Sequence, residues 1–206
     1  MGEFLELKSA DNKNFSAYIS QPLEKPIAGL VILQEIFGVN THIKEVTDLY
    51  ANRGYLTIAP ALFDRIESNI ELEYDEEGVN KGRKLKELCD IDALKDIDAA
   101  ISVVSSAGKV GIIGYCWGGS LSWRIACQTN NLSASVCYYG GDIPRLKTLE
   151  PKCSVLTHFG ELDQGIPIDN VEVFKSIKPE VLTYTYPADH GFNCDHRKQY
   201  SEVSAK

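Results

Sequence analysis

The chain has 206 residues, 44% of them hydrophobic and 24% charged, with a formal net charge of −8, which predicts one globular domain over residues 1–206 with a substantial core. The acidic balance, with basic residues scattered singly or in short pairs, argues against a nucleic-acid partner, and no apolar stretch approaches the roughly 20 residues that span a bilayer. Met1 to Glu6 lacks a positive segment followed by an apolar run, so the expected location is the cytoplasm. There, most of the cysteines at 89, 116, 127, 137, 153 and 194 are expected to be free thiols.

Phe4 to Leu7 and Ala17 to Ser20 read as short strands around the turn-rich Asp11-Asn12-Lys13-Asn14, predicting an antiparallel hairpin at a sheet edge. Gly29 to Leu33 and Tyr55 to Ala59 are continuous apolar runs, the pattern of strands buried on both faces. Between them, His42 to Asn52 has helical spacing, with Thr41 as a cap and Gly54 as a stop. Residues 66–77 are acidic and read as a surface loop. They lead into a long helical region from about Lys81 to Ser106, in which Leu88, Ile91, Leu94, Ile97 and Ile101 recur at helical intervals.

The run Lys109 to Ile113 predicts the next strand, and Gly118 to Ala126 its helix. Strands at 134–138, 154–159 and 181–186 follow, with a helix near 169–176 and Asp169 as its candidate cap. This alternation predicts an α/β fold: a mostly parallel sheet with helices on both faces. In such sheets ligands bind beyond the carboxyl ends of the strands. The loops at Gln34 to Gly38, Cys116, Gly160 to Asp163 and Pro187 to Gly191 would therefore converge.

Gly114-Tyr115-Cys116-Trp117-Gly118 is a nucleophile-elbow pattern with cysteine in the usual serine position. Glycines there let a strand turn abruptly into a helix and hold the side chain up and exposed. A helix N-terminus also favours a thiolate, whereas a lone cysteine after a strand is most often a small core residue. A thiol nucleophile needs a base, and the base needs an orienting group. Cys116, His190 and Asp163 fit those roles in the chain order of α/β-hydrolases; Asp189 and Asp169 compete with Asp163. The other histidines have blander readings: His42 caps or decorates its helix, His158 is a core strand residue, and His196 lies at the surface.

An oxyanion needs two backbone donors. The pattern assigns them to the N–H groups of Trp117 and Ile36. Glu35, between apolar neighbours at a strand end, is either a satisfied structural carboxylate or part of the site. A carboxylate beside the thiol would disfavour its ionisation.

Taken together, Gln34 to Gly38, Ala59-Pro60-x-Leu62-Phe63 with Arg65, Gly114 to Gly119, Gly160-x-x-Asp163 and His190-Gly191-Phe192 resemble the dienelactone hydrolase family, a cysteine-using branch of the α/β-hydrolases. The resemblance covers almost the whole chain. It implies hydrolysis of an enol lactone or similar small ester, possibly anionic, through a thioester. Cys116, Asp163 and His190 would be the triad and Glu35 the residue that holds the thiol until substrate arrives. Arg65 would bind the substrate carboxylate, for which an arginine fork is suited; a solvated surface arginine is the alternative.

Two departures stand out. Phe192 to Asp195 occupies the stretch where the family's second arginine is expected, and Arg197 comes only later. The chain also stops at Lys206, short of a terminal amphipathic helix, which predicts an exposed apolar patch, a covering partner subunit or reduced stability. A monomer or a homodimer is expected, with no cofactor. No metal is expected either, since the histidines and cysteines are too dispersed for ligand spacing. A broader carboxylesterase, a non-catalytic binding protein of the same fold and a redox sensor using Cys116 are the rival readings.

Overall fold

In the computed structural model, which describes residues 2–206, eight strands build one sheet: β1 (Glu3–Lys8), β2 (Asn14–Ser20), β3 (Ala28–Leu33), β4 (Tyr55–Pro60), β5 (Val110–Tyr115), β6 (Ala134–Tyr138), β7 (Ser154–Gly160) and β8 (Leu182–Tyr186). Their order is β1-β2-β4-β3-β5-β6-β7-β8. The β1–β2 hairpin is antiparallel, β2 joins β4 antiparallel, and every pairing from β4 to β8 is parallel. The apolar runs are why β3, β4 and β5 lie at the centre: Val31, Ile32, Leu33, Ile58 and Ile112 are all buried, as strands covered on both faces require.

Among the described residues there are six α-helices: α1 (Thr41–Asn52), α2 (Glu76–Cys89), α3 (Ala93–Val104), α4 (Trp117–Gln128), α5 (Ile168–Ile177) and the short α6 (Glu202–Ala205). The region expected as one long helix is thus two. Asp90 sits at the break, its carboxylate accepting from Trp117 Nε1 and Arg124 Nη1, each at 2.7 Å. These bonds tie the α2–α3 turn to α4 and redirect the chain. Leu88 and Ile91, assigned to the apolar stripe, are accordingly exposed. The acidic stretch is shorter than expected, because Asp75 caps α2 by accepting from Gly78 N at 2.7 Å.

Two other caps differ from expectation. Asn40, not Thr41, caps α1, its side chain accepting from Ile43 N. That places His42 inside the first turn, facing inward and buried. Asp169 lies within the first turn of α5 and makes no cap; Pro167 precedes the helix. In register across β5 to β8, Tyr115, Tyr138, His158 and Tyr184 stack in a row. Its inner end, Tyr115, is buried, whereas Tyr184 and the neighbouring Leu182 are exposed. His158 is therefore a half-buried member of an aromatic row, with Nδ1 at 2.7 Å from the Tyr186 hydroxyl. His196 is partly exposed and pairs with Glu45 at 2.7 Å.

Candidate active site

At the carboxyl end of β5 the chain makes the turn its glycines permit. Cys116 takes φ 54° and ψ −113°, a conformation costly for a residue with a Cβ and held only where the surroundings impose it. The imposition is visible. Cys116 N donates to Tyr138 O at 3.0 Å, and Gly118 N donates to Gln34 O at 3.0 Å. A Cβ on Gly118 would come within 2.6 Å of the carbonyl oxygens of Leu33 and Gln34. The start of α4 is thus pressed against the end of β3, which only glycine allows.

The same contact brings the Gln34 to Gly38 loop beside the thiol. Ile36, Cys116, Trp117, Asp163 and His190 all line one cavity of about 440 Å³. Among the described residues, neither Ile36 N nor Trp117 N has a hydrogen-bond acceptor. Cys116 is half-buried and lines that cavity.

β7 and β8 deliver the other two groups. His190 Nδ1 lies 2.6 Å from Asp163 Oδ2. The other Asp163 oxygen accepts from Gly165 N at 2.8 Å, fixing the carboxylate from behind. Asp189, the competing acid, instead accepts from the His190 backbone N–H. Burial opposes a charge on His190. The neighbouring Cys116, together with the Asp163 carboxylate, outweighs it and raises the imidazole to about 10. The arrangement can carry a proton between sulfur and imidazole while the carboxylate fixes the ring.

Glu35 is 1% exposed and receives Arg197 Nη1 on Oε1 at 2.8 Å. Arg197 lines the cavity, and its guanidinium lies over the rings of Phe37 and Tyr74, 5.7 Å from each centroid. Gly191, at φ 84°, makes this possible: a Cβ there would sit 2.7 Å from the guanidinium. The stretch after His190 therefore does supply an arginine, from one turn further along.

Arg65 is a correction. Its guanidinium makes a fork with Asp96, Nε and Nη2 each at 2.7 Å, and also donates to both Asp11 oxygens at 2.8 and 3.1 Å and to Ser9 Oγ. The side chain is 5% exposed and is not part of the cavity wall. With all three guanidinium nitrogens bonded to Asp11, Asp96 or Ser9, it is a clamp between the hairpin turn and α3, outside the cavity. The cavity's arginines are Arg83 and Arg197. Arg83, on α2, has no carboxylate in salt-bridge range among the described residues. The one sequence signal for it was the local Lys-Gly-Arg-Lys-Leu-Lys run at 81–86 in an otherwise acidic chain.

A mostly parallel sheet whose central strand runs through a strained turn into a helix, with an acid and a histidine at later strand ends, defines an α/β-hydrolase. Residues 15–206 match the model of the dienelactone hydrolase family. A Synechocystis sp. protein provisionally named carboxymethylenebutenolidase is 32% identical, the alignment covering 94% of this chain and 87% of that one. The carboxymethylenebutenolidase of Pseudomonas putida is 33% identical over 80% of this chain and 73% of its own. A Klebsiella pneumoniae structure, provisionally named a dienelactone hydrolase, superposes with a TM-score of 0.83 at 30% identity, covering 100% of this chain and 94% of that one. The chain belongs to the dienelactone hydrolase family and is an ester-hydrolysing enzyme. Among the described residues, no helix is long and apolar enough to cross a membrane.

Proposed function

We propose that this enzyme hydrolyses small anionic lactones or esters of the dienelactone type through a thioester on Cys116. The observation that carries the reading is one 440 Å³ cavity lined by Cys116, Asp163 and His190 together with two arginines, Arg83 and Arg197. The arginines suit a substrate carboxylate. His190 takes the thiol proton and Asp163 holds its ring. The sulfur adds to the carbonyl, and the oxyanion that forms accepts from Trp117 N and Ile36 N. Collapse breaks the C–O bond, and His190 returns the proton to the leaving oxygen. A water, deprotonated by His190, then hydrolyses the thioester.

Glu35 holds the thiol in check in this scheme. Arg197 anchors it, and a substrate carboxylate competing for Arg197 frees Glu35 to turn away from the sulfur, so that its carboxylate no longer opposes the thiolate at close range. The test is turnover of cis- and trans-dienelactone beside neutral aryl esters by the parent and by Cys116→Ala. The variant is expected to lose kcat/KM by roughly 10⁴-fold or more, with an acyl-enzyme of the parent trapped on Cys116 by mass spectrometry. Equal turnover by the variant would refute the nucleophile. Preference for neutral esters over lactones would leave the chemistry standing and refute the anionic substrate.

A further inference from the structure

At the Glu35 carboxylate, three buried side chains from three separate segments meet. Glu35 comes from the loop after β3, His42 from the first turn of α1, and Cys194 from the stretch after β8. One ligand-type atom from each lies within 4.8 Å of the others, and the residues are 1%, 3% and 0% exposed. Two of them have polar atoms with no partner among the described residues, Glu35 Oε2 and His42 Nδ1. A buried carboxylate oxygen and a buried imidazole nitrogen left unpaired are costly and call for an occupant between them.

The donor set says which occupant. Carboxylate, imidazole and thiol are the ligands of zinc. A tetrahedral zinc with bonds of about 2.0–2.3 Å places its ligand atoms roughly 3.3–3.5 Å apart, so side-chain rotations that draw the three inward by about an ångström complete the geometry. The surroundings suit such a centre. Arg197 holds Glu35 through Oε1 and leaves Oε2 free. The Tyr74 hydroxyl sits 3.4 Å from Cys194 Sγ and is itself held by Asn40 Nδ2 at 3.0 Å. A surface cleft of about 160 Å³, lined by Asn40, Tyr74 and His196 among others, reaches one of the three, His42. The sequence hides the set because its members are 35, 42 and 194 in the chain.

We infer that Glu35, His42 and Cys194 form a binding site for a divalent zinc-type cation, which ties the loop carrying Ile36, the start of α1 and the segment carrying Arg197 to one another. Binding replaces the Cys194 S–H bond by a metal–sulfur bond and releases one proton to solvent; no oxidant or reductant takes part. Nothing in the inference depends on Cys116 being the nucleophile.

The test uses the full chain with Cys116→Ala, which removes the cavity thiol as a rival ligand. Titration with Co²⁺ is expected to give one equivalent bound, with a thiolate-to-cobalt charge-transfer band in the near ultraviolet, and displacement by Zn²⁺. Zn²⁺ should raise Tm, and isothermal titration in buffers of differing ionisation enthalpy should report one proton released. Adding Cys194→Ser should abolish the band, and adding His42→Gln should weaken binding by at least about 100-fold, more than the 10–100-fold lost when an outer partner of a metal ligand is removed. Circular dichroism of each variant separates loss of the site from loss of the fold. Absence of the band in folded Cys116→Ala protein, or its survival in folded Cys116→Ala/Cys194→Ser, overturns the inference.

Discussion

Arg65 and Arg197 are both packed against buried carboxylates, and they do different work. Arg65 meets Asp96 and Asp11 with all three of its guanidinium nitrogens engaged, between the hairpin turn and α3. Arg197 makes one ion pair, to Glu35, and leaves other donors turned to a cavity. Both are arginines beside acids, yet only the second lines the cavity with most of its donors unspent. Unspent donors, rather than residue type or burial, separate a binding residue from a structural one.

The same substitution at both positions is the direct way to break that comparison. Arg65→Lys keeps the charge but loses the fork, removing several charge-assisted bonds from a buried site; a loss of about 3 kcal/mol of stability is expected, read from urea denaturation, with kcat/KM of the folded enzyme unchanged. Arg197→Lys should do the reverse. Its stability stays close to the parent's, while kcat/KM for an anionic lactone falls roughly 10-fold and that for a neutral ester holds. If Arg65→Lys raises KM for the anion, the assignment of the two roles is inverted.

Gly191→Ala sharpens the second half. The added methyl needs a positive φ and the space of the Arg197 guanidinium, so about 1 kcal/mol of stability should be lost together with the preference for anionic substrates. A variant that kept that preference would detach Gly191 from Arg197 placement.

The smallest effect is in pH, where the two regions should fail at opposite ends. The bond from Arg65 holds the Asp11 carboxyl far below its ordinary 3.8, so its contribution is present above that value and fades as pH falls below it. His190, against the opposition of burial, is raised from 6.5 to about 10 by Cys116 and Asp163. Its contribution is complete below 6.5 and fades as pH rises through about 10. Denaturation midpoints measured across pH should show both limbs, with Cys116→Ala flattening the alkaline one only. An alkaline limb unaltered in that variant would mean that His190 does not feel the sulfur.

Much of the fold was legible because it rests on local pattern. Continuous apolar runs marked β3, β4 and β5, and the small residues around Cys116 marked a turn whose geometry Gly118 then makes possible. What misled was local too. The 3.6-residue spacing continues through Leu88 and Ile91, and nothing nearby says that Asp90 is needed by Trp117 and Arg124 of α4. His42 reads as a helix decoration because Thr41 is an equally good cap on paper; Asn40 takes the role and turns the histidine inward.

The sequence by itself determined the order of Cys116, Asp163 and His190 and their places at strand ends, because each follows from residues adjacent in the chain. The tertiary structure alone decided which arginine faces the cavity and which is clamped, and what surrounds Glu35. Those outcomes depend on competition for a few hydrogen-bonding positions among groups far apart in sequence: Arg65 with Asp11 and Asp96, Arg197 with Glu35, and Glu35 with His42 and Cys194. No local pattern encodes who wins, since the winner is set by which donors and acceptors the packed sheet brings within about 3 Å of each other.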